Sequence, residues 1–352
     1  MTIDPDITPQ NQPPDGAIDA ERHRDVVRSL CDRAFGPETA TVGAITDVNR
    51  GRGAFSVVLR AEIHPGHDGD ARPVVPGSVV AKLPVDGANG EAAIASGAYL
   101  REAVAYRHII PRSPVRAPAV HLIDEPGDGT AAFVLEDLSP LRAVDQLDGL
   151  TVVDSTRVAE TLAAFHRSWR SEPNLGGLAV RRNTIAGFAP DVLQTGLRAL
   201  ADRWADAVDP AMQRTFGRLV SGRDRLVERF DAASPTLCHG DPRADNLVFD
   251  QEGAVVLFDW QQLAVQPGEA DLAWLAATSL RPEVRRRADD DLIAAADSDR
   301  DRYRLGFALP GLAVLLLAQR QFPTERGRRF VAASLQRIGT ALDDLGVADL
   351  AR

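Results

Sequence analysis

A chain of 352 residues is too long for one small core and long enough for two lobes or two domains. Its 44% apolar and 26% charged residues are those of an ordinary soluble globular protein, and a net charge of −10 argues against a nucleic-acid binder, which needs clustered Lys and Arg. Two cysteines, Cys31 and Cys238, make neither a disulfide framework nor a metal spacing, so reduced thiols in a cytoplasmic setting are expected.

Residues 1–20 lack the basic start and apolar core of a signal peptide, and their Pro, Asp and Gln content suits a disordered tail. "AERHRDVVRSLCDRAFG" then carries Val26, Val27, Leu30 and Ala34 at helical spacing and stops at Gly36. Strand signals follow: "ATVGAITDV", and "NRGRGAFSVVLRAEI", in which Val57, Leu59, Ala61 and Ile63 alternate with other residues. Between these runs "RGRGAFS", with Gly51, Gly53 and Ser56, could lay backbone N–H groups over phosphates. A loop at 64–77 precedes the strand "SVVAKLPV", a helix is expected over roughly 91–110, and the strands "AVHLID" and "AAFVLEDL" flank the turn "EPGDGT".

From about residue 140 the pattern is mainly helical, with "VVDSTRVAETLAAFHRSW", 191–206, 211–230, 284–296, 300–321 and 326–345 reading as helices. The only strand signals in this half surround residues 238–250. The boundary is expected in "LEDLSP", 135–140, giving a β-rich part over 21–138, an antiparallel sheet plus helix, and a helical part over 139–352. The longest apolar run, "LAVLLLA" at 312–318, is far too short to span a bilayer, so no membrane partner is expected.

Lys82 sits inside an apolar strand, where an ammonium needs a partner. Ala95, Ala98, Glu102, Tyr106 and Ile109 form one helical stripe on which Glu102 is the only charge, so a Lys82–Glu102 ion pair is the economical reading. In "CHGDPRADNLVFD", 238–250, a histidine, aspartates, an arginine and an asparagine crowd ahead of a hairpin, "NLVFD-QEG-AVVLFDW". A turn centred on Gln251–Glu252 would set Asn246 opposite Leu257 and place Asp259 two residues further on the same face. A carboxylate plus an amide oxygen suits a hard cation such as Mg²⁺.

His239-Gly240-Asp241, Asn246 five residues after that aspartate, and Asp259 after an apolar strand follow the order of a kinase catalytic loop and metal-binding aspartate. With "HGDPRADN" and "FDWQ" the chain resembles the aminoglycoside phosphotransferase and choline kinase superfamily, most closely its ecdysteroid-kinase-like branch. That branch also shows the E-x-x-x-Y pattern of Glu102 and Tyr106 and the "VLEDL" hinge. The resemblance covers about residues 40–280. It implies an α+β, bilobal protein-kinase-like fold with a small β-rich N-lobe and a larger, mainly helical C-lobe.

It also implies an ATP- and Mg²⁺-dependent O-phosphotransferase acting on a hydroxyl of a small molecule. Asp241 would be the catalytic base, Asn246 and Asp259 the metal ligands, and Lys82, paired with Glu102, the contact to the α- and β-phosphates. The adenine would meet backbone groups of Glu136 and Leu138. His239 and Asp271, twelve residues after Asp259, would support the loop. Arg243 would stabilise charge on the transferring phosphate or form a surface salt bridge. The five polar residues Lys82, Glu102, Asp241, Asn246 and Asp259 would meet around one nucleotide between the lobes. A protein kinase would need a long activation segment, for which "WQQLAVQPGEADLAW" leaves no room, and an idle nucleotide-binding relative would be expected to lack one of the five. Asp202, Asp206 and Asp209 could attract a polycationic aminoglycoside or simply face water, and the acceptor stays open among aminoglycosides, sterols, amino alcohols and sugars.

Overall fold

The computed structural model describes residues 20–48, 55–66, 75–170, 180–182, 185–322 and 324–351. They divide into two compact units. One contains the described residues up to Pro111 together with Ala117–Pro140, and the other contains Arg112–Arg116 and Leu141 onward.

In the first unit α1 (Ala20–Phe35) presents Val27, Leu30 and Cys31 to the core and leaves Val26 39% exposed. The strands β1 (Ala40–Asp47), β2 (Ser56–Pro65) and β3 (Ser78–Pro84) follow. Next come α2 (Gly87–Ser96), α3 (Ala98–Val104), β4 (Val120–Asp124) and β5 (Ala132–Glu136). The strands form one antiparallel sheet in the order β1-β2-β3-β5-β4. Side chains alternate across a strand, so Leu59, Ala61 and Ile63 of β2 and Val79, Ala81 and Leu83 of β3 share the face that buries α1. Lys82 therefore points to the other face.

The single helix expected over 91–110 is broken. Gly97 takes φ 69°, ending α2 and starting α3 at a new angle, and a π-helical turn, Ala105–Ile109, continues from α3. The stripe loses Ala95, which is exposed, and keeps Ala98, Glu102, Tyr106 and Ile109, all buried.

In the second unit the order is β6 (Arg142–Ala143), α4 (Val152–Trp169), β7 (Arg181–Arg182), α5 (Pro190–Arg203), α6 (Pro210–Ser221), α7 (Arg223–Ala232) and β8 (Pro235–Cys238). It continues with β9 (Leu247–Phe249), β10 (Val255–Leu257), β11 (Ala264–Pro267), α8 (Glu269–Ser279) and α9 (Pro282–Ala295). The last helices are α10 (Arg300–Gly306), α11 (Ala308–Gln319) and α12 (Glu325–Asp344). The helices expected over 211–230 and 300–321 are each two, divided at Gly222 and Phe307. Two short sheets appear, β10-β9-β6 and β7-β11-β8, where only the hairpin strands were expected. Arg112–Arg116 joins this unit because Trp169 Nε1 donates to Ser113 Oγ at 2.9 Å and Leu257 N donates to the Arg116 carbonyl at 3.0 Å. Among the described residues no helix is long and apolar enough to cross a membrane.

Candidate active site

The hairpin pairs Leu247 with Leu257, Val248 with Val256 and Phe249 with Val255, one residue out of the expected register. Asp250 is the cause. Its Oδ1 accepts from Glu252 N at 3.1 Å and Ala254 N at 2.7 Å, which builds a longer turn. Asn246 consequently stands opposite Phe258, whose N–H donates to its carbonyl at 3.1 Å, and Asp259 is the next residue along. Asp259 is brought round by its own backbone, at φ 64° and ψ 64°, a left-handed conformation that Asp tolerates better than most side chains. Held strain of this kind gathers at functional sites.

The loop 239–246 is gripped by α8 along its length. At the start of the helix, fully buried Asp271 accepts from His239 N at 2.8 Å and Gly240 N at 2.9 Å. His166 Nε2, 3.0 Å from Asp271 Oδ2, holds that carboxylate in turn. One helical turn on, Trp274 Nε1 donates to Asp241 Oδ1 at 2.7 Å. At the helix end, Ser279 Oγ accepts from Ala244 N at 2.9 Å. Gly240, at φ 86°, lies so near Gln262 that a Cβ there would sit 2.1 Å from its carbonyl oxygen. Glycine is therefore required at that position.

His239 is fully buried against Trp260, with ring centroids 4.5 Å apart. Its Nε2 donates to the Phe258 carbonyl at 3.0 Å, which leaves Nδ1 to accept from Asp241 N at 3.3 Å. Burial pushes its pKa down, so this neutral tautomer is the resting form. The ring ties the loop to the hairpin and does not point a free nitrogen at a substrate.

Around Asp241 the geometry is dense. Asn246 Nδ2 donates to the Asp241 carbonyl at 2.9 Å and to Oδ2 at 3.0 Å. Arg243 Nε lies 3.4 Å from Oδ2 as an ion pair and makes no hydrogen bond. Burial raises the Asp241 pKa, with Arg243 opposing and the neighbouring Asp259 carboxylate adding to the rise. Asp241 in turn raises the pKa of Arg243. With both amide hydrogens engaged by Asp241, Asn246 offers Oδ1 to a ligand. That amide oxygen and the Asp259 carboxylate are the hard donors a small divalent cation accepts, so the residues present fit Mg²⁺.

In the sheet unit Lys82 Nζ donates to both carboxylate oxygens of Glu102, at 2.8 and 2.7 Å, and both residues are buried. Ser56 opens β2 opposite Pro84, while Gly51 and Gly53 lie outside the described residues. Tyr99 closes this end of the sheet. Its hydroxyl donates to the Phe55 carbonyl at 2.6 Å and accepts from Val85 N at 3.2 Å. At the end of β5 the Glu136 N–H donates to the Ala119 carbonyl at 2.8 Å, so that donor is already engaged within the unit. Leu138 lies two residues beyond the end of β5. Asp202 and Asp206 are exposed, and Asp209 caps α6 through Met212 N.

Trp274, Ser279 and Tyr99 were not singled out by sequence. For Trp274 a signal existed: it stands three residues after Asp271, on the same helical face. The other two contacts depend on pairings set only by the fold.

A five-stranded antiparallel sheet bearing a buried Lys–Glu pair, and a helical unit bearing a braced His-Gly-Asp loop with Asn and Asp behind it, define a kinase-like phosphotransferase. The chain belongs to the phosphotransferase enzyme family APH, which matches residues 77–305. No curated protein matches the chain. Among solved structures it is similar to the GDP and kanamycin complex of APH(2″)-IIIa, with TM-score 0.59 and 13% identity over 91% of this chain and 99% of that one. It is also similar to a choline/ethanolamine kinase family protein from Mesorhizobium loti, with TM-score 0.57 and 15% identity over 93% and 98%. A third is the amicoumacin kinase hAmiN in complex with AMP-PNP, Ca²⁺ and Ami, with TM-score 0.52 and 13% identity over 91% and 95%. At these identities the likeness is one of fold.

Proposed function

We propose that the chain transfers the γ-phosphoryl group of ATP to a hydroxyl of a small molecule, with Asp241 accepting the hydroxyl proton. The observation that carries this reading is the setting of the Asp241 carboxylate. Burial makes it more basic, Trp274 and Asn246 each donate one hydrogen bond to fix its direction, and each oxygen keeps a further lone pair for an incoming O–H. In the transfer the acceptor oxygen bonds to phosphorus, the bridging bond to ADP breaks, and the proton passes to Asp241. Arg243, beside that carboxylate, stabilises charge on the moving group. Mg²⁺, held by Asn246 and Asp259, neutralises triphosphate charge when bound. In the sheet unit Lys82, held by Glu102, takes the α- and β-phosphates, and backbone groups of Glu136 and Leu138 receive the adenine.

The Glu102-x-x-x-Tyr106 and Asp259-Trp260-Gln261 patterns support placement in the ecdysteroid-kinase-like branch, and the two reduced cysteines support a cytoplasmic enzyme. The relatives in complex with kanamycin and amicoumacin and those of the choline kinase family support acceptors that combine a hydroxyl with nitrogen. The test is ADP release from Mg·ATP against aminoglycosides, amino alcohols, sterols and sugars. One acceptor class should turn over, and Asp241→Asn should lose about 10²–10⁴-fold in kcat while still binding ATP. Wild-type turnover by that variant would remove Asp241 from its role.

A further inference from the structure

The last turn of the catalytic loop is also held from outside α8, by a residue almost a hundred positions earlier. Gln146 follows β6, is 1% exposed, and uses both ends of its amide. Its Oε1 accepts from Asp245 N at 3.2 Å, and its Nε2 donates to the Thr278 carbonyl at 2.8 Å. Arg337 of α12 packs behind it at 6% exposure. The guanidinium donates to the carbonyls of Gln146 at 2.8 Å, Leu147 at 2.7 Å and Thr278 at 2.7 Å.

We propose that Gln146 is a positioning residue for the Ala244–Asn246 turn of the catalytic loop and that Arg337 holds it in place. The inference rests on the reading of Asp241 and Asn246 given above. A side chain that merely filled the space would be apolar, because a buried amide is tolerated only when its donors and acceptors are met. A buried guanidinium is more demanding still, and burial pushes the pKa of Arg337 down. Its hydrogen bonds go to carbonyls alone, two of them on the segment that carries Gln146. The third, Thr278, lies in the last turn of α8, where carbonyls lack helical partners and the helix end is negative. One cation thus fixes the end of the helix that grips the loop and the segment that meets the loop from outside it.

The consequence falls on Asn246. Its N–H donates to the Arg243 carbonyl at 2.8 Å, so the turn closes only when Asp245 is in register. Releasing Asp245 N lets Asn246 shift against Asp241 without touching any substrate contact.

The test is hydrogen–deuterium exchange and kinetics on the full chain carrying Gln146→Met, which keeps length and removes both polar ends. Amides of 241–247 should exchange about tenfold faster or more, and kcat should fall about 10–100-fold, with the KM values for ATP and acceptor nearly unchanged. Gln146→Glu keeps an acceptor for Asp245 N and should retain loop protection. Arg285→Met, which breaks a separate buried cluster with Asp289 and Asp344, should lower the melting temperature without local exchange in the loop. If Gln146→Met does not fold, Gln146→Asn, one methylene too short to reach Asp245, replaces it. Unchanged loop exchange in the folded variant, with Asp241→Asn inactive, overturns this inference and leaves the proposed reaction standing. An active Asp241→Asn overturns the reaction, and the exchange result still decides the role of Gln146.

Discussion

Lys82 and Glu102 show how a residue pair becomes readable before the fold is known. Each is a charge in an apolar pattern, and a buried charge without its counter-ion is strongly unfavourable. Removing one partner should therefore harm stability as well as turnover. Lys82→Met takes away the cation 2.7 Å from the Glu102 carboxylate and should destabilise the protein by about 3 kcal/mol. Adding Glu102→Gln should recover much of that loss in a denaturant titration, while ATP turnover stays low because the proposed phosphate contact of Lys82 is still absent. Activity that returned along with stability would mean the pair is scaffolding only. Asp241, Arg243, Asn246 and Asp259 were legible for a related reason, since their spacing is short-range and survives any error about register. Gln146, Ser279 and Tyr99 were not legible, because their partners are chosen by packing between segments distant in sequence.

At the scale of elements, sequence identified α4 to the residue, since Thr151 caps it and its apolar positions repeat cleanly. It missed α8 and β11, which are buried on nearly every side and so carry no contrast of polar and apolar faces. It also misplaced the hairpin by one, because the length of the turn was set by the side chain of Asp250 and not by the strands. The connection between β8 and α8 tolerates little change. Gly240→Ala would need a side chain at φ 86° and a Cβ 2.1 Å from the Gln262 carbonyl oxygen. The variant should be destabilised by about 2 kcal/mol or more. It should also lose more than about tenfold in kcat, since His239 and Asp241 move with it. A thermal melt and a turnover assay check both, and a variant that keeps both properties would show that the loop can relax away from Gln262.

At the scale of the whole molecule the two units carry carboxylates of opposite character, which sets how each responds to acid. In the sheet unit the side chain of Asp137 is 4% exposed and joins β2 and β3 to the segment after β5. Burial alone would raise its pKa. The Ser78 hydroxyl, the Ser139 N–H and the Arg60 guanidinium outweigh that and hold it at about 2, against 3.8 for an ordinary aspartate. A depressed carboxylate stabilises the fold above its unfolded pKa, and the contribution is lost as pH falls through the folded value. For Asp137 that is about 2 kcal/mol, withdrawn between roughly pH 4 and pH 2. In the helical unit burial raises Asp241 and Asp289, so folding favours their protonated forms, and acid relieves a penalty there. The sheet unit should accordingly lose amide protection first on titration from pH 4 to pH 2. Asp137→Asn should lower stability at pH 7 and flatten its dependence on pH across that window. A wild-type slope in the variant would place the acid sensitivity elsewhere.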